Sequence, residues 1–302
     1  CLKPSSANSG VVFLRTGIEG MPPQLIHAKH TKVSATELCT VIGDRGPASV
    51  STIEHLMSAC AGMGLDNVLV EIDGPEMPIM DGSAAPFVDA IDQAGIVQQN
   101  APRRFIEILK TVQVTMGESF GELRPHAGGF RAELEIDFVN TPIGRQAYAF
   151  DLSADSFRRD ICRARTFGRM GDVNKLWSAG YALGASLENS VVVDETRVLN
   201  TEGLRYADEF VRHKALDAVG DLALAGGNVG ILDEVEHLLA RPALRVETRV
   251  DDESARAPHL VGQSAELLVR RLVDAHLAAE LLRVEPPAFA ERVRIETEAE
   301  RR

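Results

Sequence analysis

Apolar and polar positions in the first hundred residues alternate between two periods. Short apolar runs typical of strands cover residues 11–15, 38–42 and 67–73, and helical spacing follows the second and the third of them. In the third run every second residue is apolar and Gly74-Pro75 ends it, which is the pattern of a half-buried strand. Strands that alternate with helices in this way predict an α+β fold.

A polar linker near residue 100 separates this part from a second series of elements. Apolar and charged residues alternate through residues 130–138, as expected of a strand with one buried face. The other elements predicted after the linker are strands at 105–114 and 146–151, a strand pair at 190–199, and helices at 154–164 and 207–225. We therefore predict two similar α+β domains that face each other, residues 1–100 and 101–302, each a small sheet packed with helices.

The character of the chain changes from about residue 226. Gly226-Gly227 ends the long helix, and a charge-rich stretch follows it. Within residues 266–283 apolar side chains recur at helical spacing, which predicts an amphipathic helix before a polar tail. We treat everything from about residue 231 as an atypical segment of the second domain.

Composition limits the classes of protein that fit. The 302 residues are 45% hydrophobic, enough for two cores, and the net charge of −12 repels polyanions and excludes a nucleic-acid binder. No apolar run approaches the roughly 20 residues that span a bilayer, so we expect no transmembrane segment. The four cysteines form no CxxC pair, which argues against a disulfide framework or a thiolate zinc site and favours the reducing cytoplasm.

The segment that begins at Ser51 predicts a helix with an unusual dipeptide. Ser51 and Glu54 fit a capping box at its start, and Gly62 fits its end. The apolar stripe of this helix comprises Ile53, Leu56, Met57 and Cys60. His55 projects away from that stripe, so packing does not require it. Capping alone would account for Glu54.

The long helix carries a second group of polar residues. His213, Asp217 and Asp221 lie one turn apart on one face, and a histidine and an aspartate at this spacing can bind one cation. Imidazole nitrogen and carboxylate oxygen suit Zn²⁺, and a third ligand from elsewhere would leave one position open for water, as in catalytic zinc sites. The alternative is a solvated helix face with an Asp–His hydrogen bond.

Longer strings within these segments resemble a known family. Residues 51–56, 66–67 and 78–88 are similar to the first domain of the UDP-3-O-acyl-N-acetylglucosamine deacetylases of lipid A biosynthesis. The strings similar to its second domain are residues 163–168, 198–200, 203–205 and 209–222. The resemblance runs in order along about residues 4–225.

The resemblance implies a zinc site between the two domains. His55, His213 and Asp217 would be the three protein ligands, and Glu54 would be the general base that takes a proton from the attacking water. The implied reaction hydrolyses the N-acetyl group of UDP-3-O-acyl-N-acetylglucosamine to a free amine and acetate. The implied partner is therefore this UDP-linked substrate, and we expect a monomer.

Further roles follow from the same resemblance. Thr166 would donate a hydrogen bond to the oxyanion, Lys214 would place the substrate or stabilise developing charge, and Phe167 would line the path of the fatty acyl chain. Asp221 would orient the histidine that protonates the leaving amine. Without the resemblance Thr166 fits a hydroxyl at a helix end, Lys214 a surface lysine and Phe167 an aromatic residue of the core. The loop at residues 78–86 fits a structural turn that supports the domain interface.

The chain departs from the family pattern in two places. Family members open with Gly-x-Gly-Leu-His-x-Gly before the segment similar to residues 1–10. We interpret the start at Cys1 as a sequence that begins inside a longer one, and expect the first sheet to lack an edge strand. The family's Gly-His-x-Leu-Asn motif after the long helix is not matched, and His237 is our candidate for its general acid.

Two other functions remain open from the sequence. A catalytically impaired or silent relative would bind zinc and a nucleotide-sugar, or a partner protein, without turnover. A zinc hydrolase of the same fold could act on a different amide. Acetate release from the UDP-linked substrate distinguishes the leading hypothesis from the silent relative, and a panel of substrates tests the different amide.

Overall fold

A computed structural model of the chain describes residues 1–226 except 37, 45, 104, 109, 117–118, 127–128, 179–181 and 183. It also describes the backbone of two later strands, Arg241–Val250 and Leu282–Glu285. His237 lies outside the described residues. So does the predicted helix at 266–283, apart from its last two positions, which begin the second of these strands.

The first part of the chain forms a four-stranded sheet in the order β1-β6-β2-β3, with a small separate β4-β5 hairpin. Its elements are β1 (Leu2–Pro4), β2 (Val11–Arg15), β3 (Gln24–His27), β4 (Val33–Ala35), β5 (Val41–Ile42), α1 (Glu54–Met63), β6 (Val68–Ile72) and α2 (Ala85–Ala94). The two central strands, β2 and β6, are parallel, and both outer pairings are antiparallel. The strand predicted at 38–42 covers only its last two residues.

The alternating apolar residues of β6 explain this sheet. Val68, Val70 and Ile72 are buried, and Val70 pairs with the fully buried Phe13 of β2. The other face of β6 is partly exposed, as its sequence predicts. The core beneath the sheet includes residues of both α1 and α2.

The second part of the chain forms a five-stranded sheet in the order β11-β10-β14-β9-β8. Its elements are β7 (Phe105–Ile108), β8 (Val112–Met116), β9 (Ser119–His126), β10 (Arg131–Phe138), β11 (Gly144–Asp151), α3 (Ala154–Ser156) with a π-helical turn (Phe157–Ile161), β12 (Phe167–Arg169), α4 (Met170–Ser178), β13 (Val191–Val193), α5 (Glu209–Leu222), β14 (Arg241–Val250) and β15 (Leu282–Glu285). The sheet packs against α5, the long predicted helix, and every second residue of β10 is buried.

Three features of this part differ from the sequence prediction. The run at 105–114 divides into β7 and β8, and β7 pairs with β15 rather than joining the large sheet. The segment after 231 supplies β14, which lies in the middle of that sheet between β9 and β10. The mixed helix and strand content confirms the α+β class, whereas the domain boundary near residue 100 remains a prediction.

Among the described residues, no helix has both the length and the apolar composition that a membrane crossing requires.

Candidate metal centre

Helices α1 and α5 bring three buried side chains together. Asp217 Oδ1 lies 3.4 Å from His213 Nε2 and 3.7 Å from His55 Nε2, and the two imidazole rings meet edge to face with centroids 5.1 Å apart. One ligand atom from each of these residues lies within 4.8 Å of the others. Two imidazoles and a carboxylate from separate parts of the chain therefore converge at one point.

The protonation states of these groups favour cation binding. Burial and the neighbouring His213 lower the pKa of His55 to about 4, and burial also lowers the pKa of His213. Burial raises the pKa of Asp217, but its electrostatic interactions with His213, the Lys214 ammonium and His55 lower it by more, so the pKa of Asp217 is below its ordinary value. At neutral pH the site thus offers two neutral imidazoles and one carboxylate, the forms that bind metals.

Hydrogen bonds orient the ligand atoms. His213 Nδ1 donates to the Ala164 carbonyl oxygen over 3.0 Å, which leaves the Nε2 lone pair directed at Asp217. Lys214 Nζ donates to Asp217 Oδ2 over 2.9 Å, so that oxygen is occupied and Oδ1 faces the imidazoles. Both candidate ligands of α5 are thus oriented by hydrogen bonds on the side away from the centre.

The polar atoms at the centre fit a cation better than they fit one another. Asp217 Oδ1 is buried and has no hydrogen-bond partner among the described residues. The separations of 3.4 and 3.7 Å exceed a normal hydrogen bond. They match ligands that share a tetrahedral ion with bonds of about 2.0–2.2 Å, which lie roughly 3.4 Å apart. The alternative of a solvated helix face is wrong, because His213, Asp217 and Asp221 are each at most 6% exposed.

The Glu54 carboxylate does not cap the start of α1, although the sequence predicts that it does. The residue before α1 is Ile53, which offers no side-chain cap, and the Ser51 hydroxyl donates to the Pro75 carbonyl oxygen. The predicted capping box is therefore wrong. The Glu54 carboxylate is buried and accepts a hydrogen bond from the Thr40 N–H over 3.0 Å. Gly62 does not end the helix either, since α1 continues to Met63 and Gly64 adopts φ +69°.

Thr40 also contacts the third polar residue of α5. Its hydroxyl donates to Asp221 Oδ1 over 2.7 Å, and both residues are buried. The sequence analysis did not identify Thr40. No local signal marks it, because its two partners lie 14 and 181 positions away.

Close packing of the two helices depends on Gly220. A Cβ atom at this position would lie 2.2 Å from the Glu54 carbonyl oxygen and 3.1 Å from Ser58 N. Only a residue without a side chain lets the backbone of α5 approach α1 so closely. Because Glu54 and His55 begin α1, this contact sets the distance between His55 and the candidate ligands of α5.

Gly220→Ala is expected to lower the free energy of unfolding by about 2–3 kcal/mol, since the backbones must separate. It should also weaken metal binding. Urea denaturation and metal content measure the two effects. Gly171→Ala in α4 is the control, because its Cβ would meet only a side-chain atom at 4.0 Å. Equal stability of the Gly220 and Gly171 variants would contradict the packing argument.

Thr166 and Phe167 are adjacent in the chain, and the Phe167 ring lies beside His213 of the centre. The Thr166 N–H donates to the Gly82 carbonyl oxygen over 2.7 Å, and its own carbonyl accepts from the Val191 N–H over 2.8 Å. The Phe167 ring contacts His213 and Phe210 edge to face, with centroids 6.2 and 5.0 Å away. Lys214 Nζ lies 5.7 Å from the centroid of the same ring.

The predicted structural turn at 78–86 connects the two parts of the chain. Arg205 Nη1 donates to Asp81 Oδ2 over 2.8 Å and to the Arg163 carbonyl oxygen over 2.9 Å. Gly82 adopts φ +82°, and a Cβ there would lie 2.0 Å from the Asn189 carbonyl oxygen. The loop therefore fixes the segment that carries Thr166.

A buried ion pair fixes the start of α5. Arg165 Nε and Nη2 donate to the two carboxylate oxygens of Glu209 over 2.9 and 3.2 Å, and Glu209 is fully buried. The backbone N–H groups of Arg165 and Arg205 also donate to the Glu209 carboxylate. Two parallel hydrogen bonds of this kind fix the relative orientation of the two side chains as well as stabilising the pair. The pair aligns α5 with the segment that precedes Phe167.

Comparisons with known proteins gave matches within one family. The family model for UDP-3-O-acyl N-acetylglycosamine deacetylase matches residues 1–232. Proteins named UDP-3-O-acyl-N-acetylglucosamine deacetylase from Brucella ovis, Brucella canis and Brucella melitensis are each 53% identical to this chain over 226 residues, which cover 74% of this chain and 78% of each relative. The family resemblance that the motifs predicted is thereby confirmed. This chain belongs to the UDP-3-O-acyl N-acetylglycosamine deacetylase family.

Proposed function

We propose that this protein is a zinc-dependent deacetylase that hydrolyses the N-acetyl group of UDP-3-O-acyl-N-acetylglucosamine, a step of lipid A biosynthesis. The observation that carries the proposal is the convergence of His55, His213 and Asp217, whose ligand atoms lie within 4.8 Å of one another. Membership of the family and the names of the relatives supply the substrate.

The donor set favours zinc among the common metals. Two imidazole nitrogens and one carboxylate oxygen are typical ligands of catalytic zinc sites with three protein ligands. When bound, the ion would supply a Lewis acid that activates water and polarises a carbonyl group at neutral pH. His55, His213 and Asp217 would hold it, with Lys214 and the Ala164 carbonyl keeping the α5 ligands in place.

The residues around the ligands fit the remaining steps of amide hydrolysis. Glu54 adjoins His55 in sequence, and its carboxylate would accept the proton of the attacking water. The Thr166 hydroxyl would donate a hydrogen bond to the oxygen of the acetamide group as it gains charge. The Lys214 ammonium lies against Asp217, so it would stabilise negative charge at the centre.

Binding of the fatty acyl chain and protonation of the amine complete the proposal. Phe167 is half-buried beside His213, a position from which its ring could contact the acyl chain. Asp221 would orient a general acid, for which His237 is the candidate that the sequence offers.

All four cysteines are free thiols, which supports a reducing compartment such as the cytoplasm. We also propose that the protein is a monomer.

Acetate release from UDP-3-O-acyl-N-acetylglucosamine tests the proposal. The zinc-loaded chain is expected to release one acetate for each amine formed, and removal of zinc with a chelator should abolish the reaction. Zinc bound in equal amount to protein without acetate release would contradict the proposal and indicate binding without turnover. Turnover of another acetylated amine but not of this substrate would contradict the assigned substrate.

A further inference from the structure

Thr40 is attached to both helices of the metal centre. Its N–H donates to the Glu54 carboxylate, and its carbonyl oxygen accepts from the Ile53 N–H over 3.4 Å, so its backbone is bound to the start of α1. Its hydroxyl donates to Asp221 on α5. One residue, 2% exposed, thus joins two buried carboxylates that belong to different helices.

The two hydrogen bonds that Thr40 donates to carboxylates are stronger than bonds between neutral groups. A donor bound to a carboxylate forms a charge-assisted hydrogen bond, and at a buried site the charge has little water to compensate it. The 2.7 Å length of the hydroxyl bond to Asp221 is that of a well-formed O–H···O contact. Because both donors belong to one buried residue, Thr40 connects the position of the Asp221 carboxylate to that of the Glu54 carboxylate.

We propose that Thr40 is a positioning residue of this site, which keeps the Glu54 carboxylate and the Asp221 carboxylate in a fixed relation. The proposal rests on the proposed deacetylase function, in which Glu54 receives a proton. Proton transfer requires the base within hydrogen-bond reach of the water, and small displacements reduce its rate steeply. Thr40 acts through both carboxylates and takes no part in the chemistry itself.

Thr40→Val tests the hydroxyl bond, because valine keeps the shape and the backbone N–H but cannot donate from its side chain. In the full zinc-loaded chain we expect kcat to fall about 10- to 100-fold, with KM within about threefold and zinc content unchanged. Thr40→Ser restores the hydroxyl and should stay within about threefold of the unmodified chain. Thr196→Val removes a similar bond to Asp194 in an exposed turn and should leave kcat unchanged.

Equal kcat values for Thr40→Val and Thr40→Ser would overturn the proposal. A fall in kcat that matches an equal loss of zinc would also overturn it, because Thr40 would then be needed only for the structure of the site. A kcat that falls in Thr40→Val and recovers in Thr40→Ser, with the same zinc content in both, supports the proposal. A purely structural role would not give this result.

A second measurement does not depend on turnover. In the full chain labelled with ¹⁵N-threonine, the Thr40 amide resonance is expected to shift in Glu54→Gln and also in Asp221→Asn, while the Thr196 resonance stays in place. A Thr40 resonance that does not respond to Asp221→Asn would overturn the proposed link. If the unmodified chain releases no acetate, the deacetylase function fails, and this shift still decides whether Thr40 joins the two carboxylates.

Discussion

Glu54→Gln is expected to lower kcat by about 10²- to 10⁴-fold while the metal stays bound. Glutamine has the shape of glutamate and can still accept the hydrogen bond from the Thr40 N–H. It cannot take a proton from water at neutral pH, so only the step that needs a base is lost. Steady-state acetate release and metal content on the same sample measure the two quantities.

The control for this variant is Glu71→Gln on β6, where the carboxylate pairs with Lys3 at the surface. Its rate should equal that of the unmodified chain. If Glu54→Gln loses the metal, Glu54 belongs to the ligand set and its assignment as the base is wrong. Retention of more than about a tenth of the rate would likewise exclude it as the general base.

Asp217→Ala is expected to empty the metal centre. Mutation of a group that only hydrogen-bonds to a metal ligand lowers metal affinity by roughly 10- to 100-fold. The loss of a ligand itself should lower the affinity by more than that. The variant also leaves the Lys214 ammonium without the carboxylate that it contacts, so a positive charge remains beside two imidazoles. Zinc content after dialysis and competition with a chelator of known affinity measure the effect.

Asp89→Ala is the matched control, since Asp89 is an exposed residue of α2. That variant should keep the full amount of zinc. Undiminished zinc in Asp217→Ala, in a protein that circular dichroism shows to be folded, would refute the assignment of Asp217 as a ligand.

The elements with strong local patterns could be predicted from the sequence. The alternation in residues 130–138 specifies β10, and the apolar spacing around Glu209–Leu222 specifies α5, because burial of one face depends on the local period. The i,i+4 spacing of His213 and Asp217 also marks a possible cation site on one helix face. The family strings then supplied the third candidate ligand, His55.

What the sequence could not supply depends on contacts between distant parts of the chain. The Glu54 carboxylate accepts a hydrogen bond from the distant Thr40 N–H rather than from the start of its own helix, so a rule based on local spacing wrongly predicted a capping box. The close approach of α5 to α1 requires Gly220, and a glycine inside a helix indicates by itself no particular partner. The insertion of β14 between β9 and β10 is a matter of pairing between strands far apart in sequence.

The most direct test of the central claim is a crystal structure of the zinc-loaded protein with anomalous diffraction measured at the zinc edge. The account predicts one strong zinc peak within about 2.0–2.2 Å of an imidazole nitrogen of His55, an imidazole nitrogen of His213 and a carboxylate oxygen of Asp217. A zinc peak bound by other residues, with these three side chains still in mutual contact and no ion between them, would contradict it.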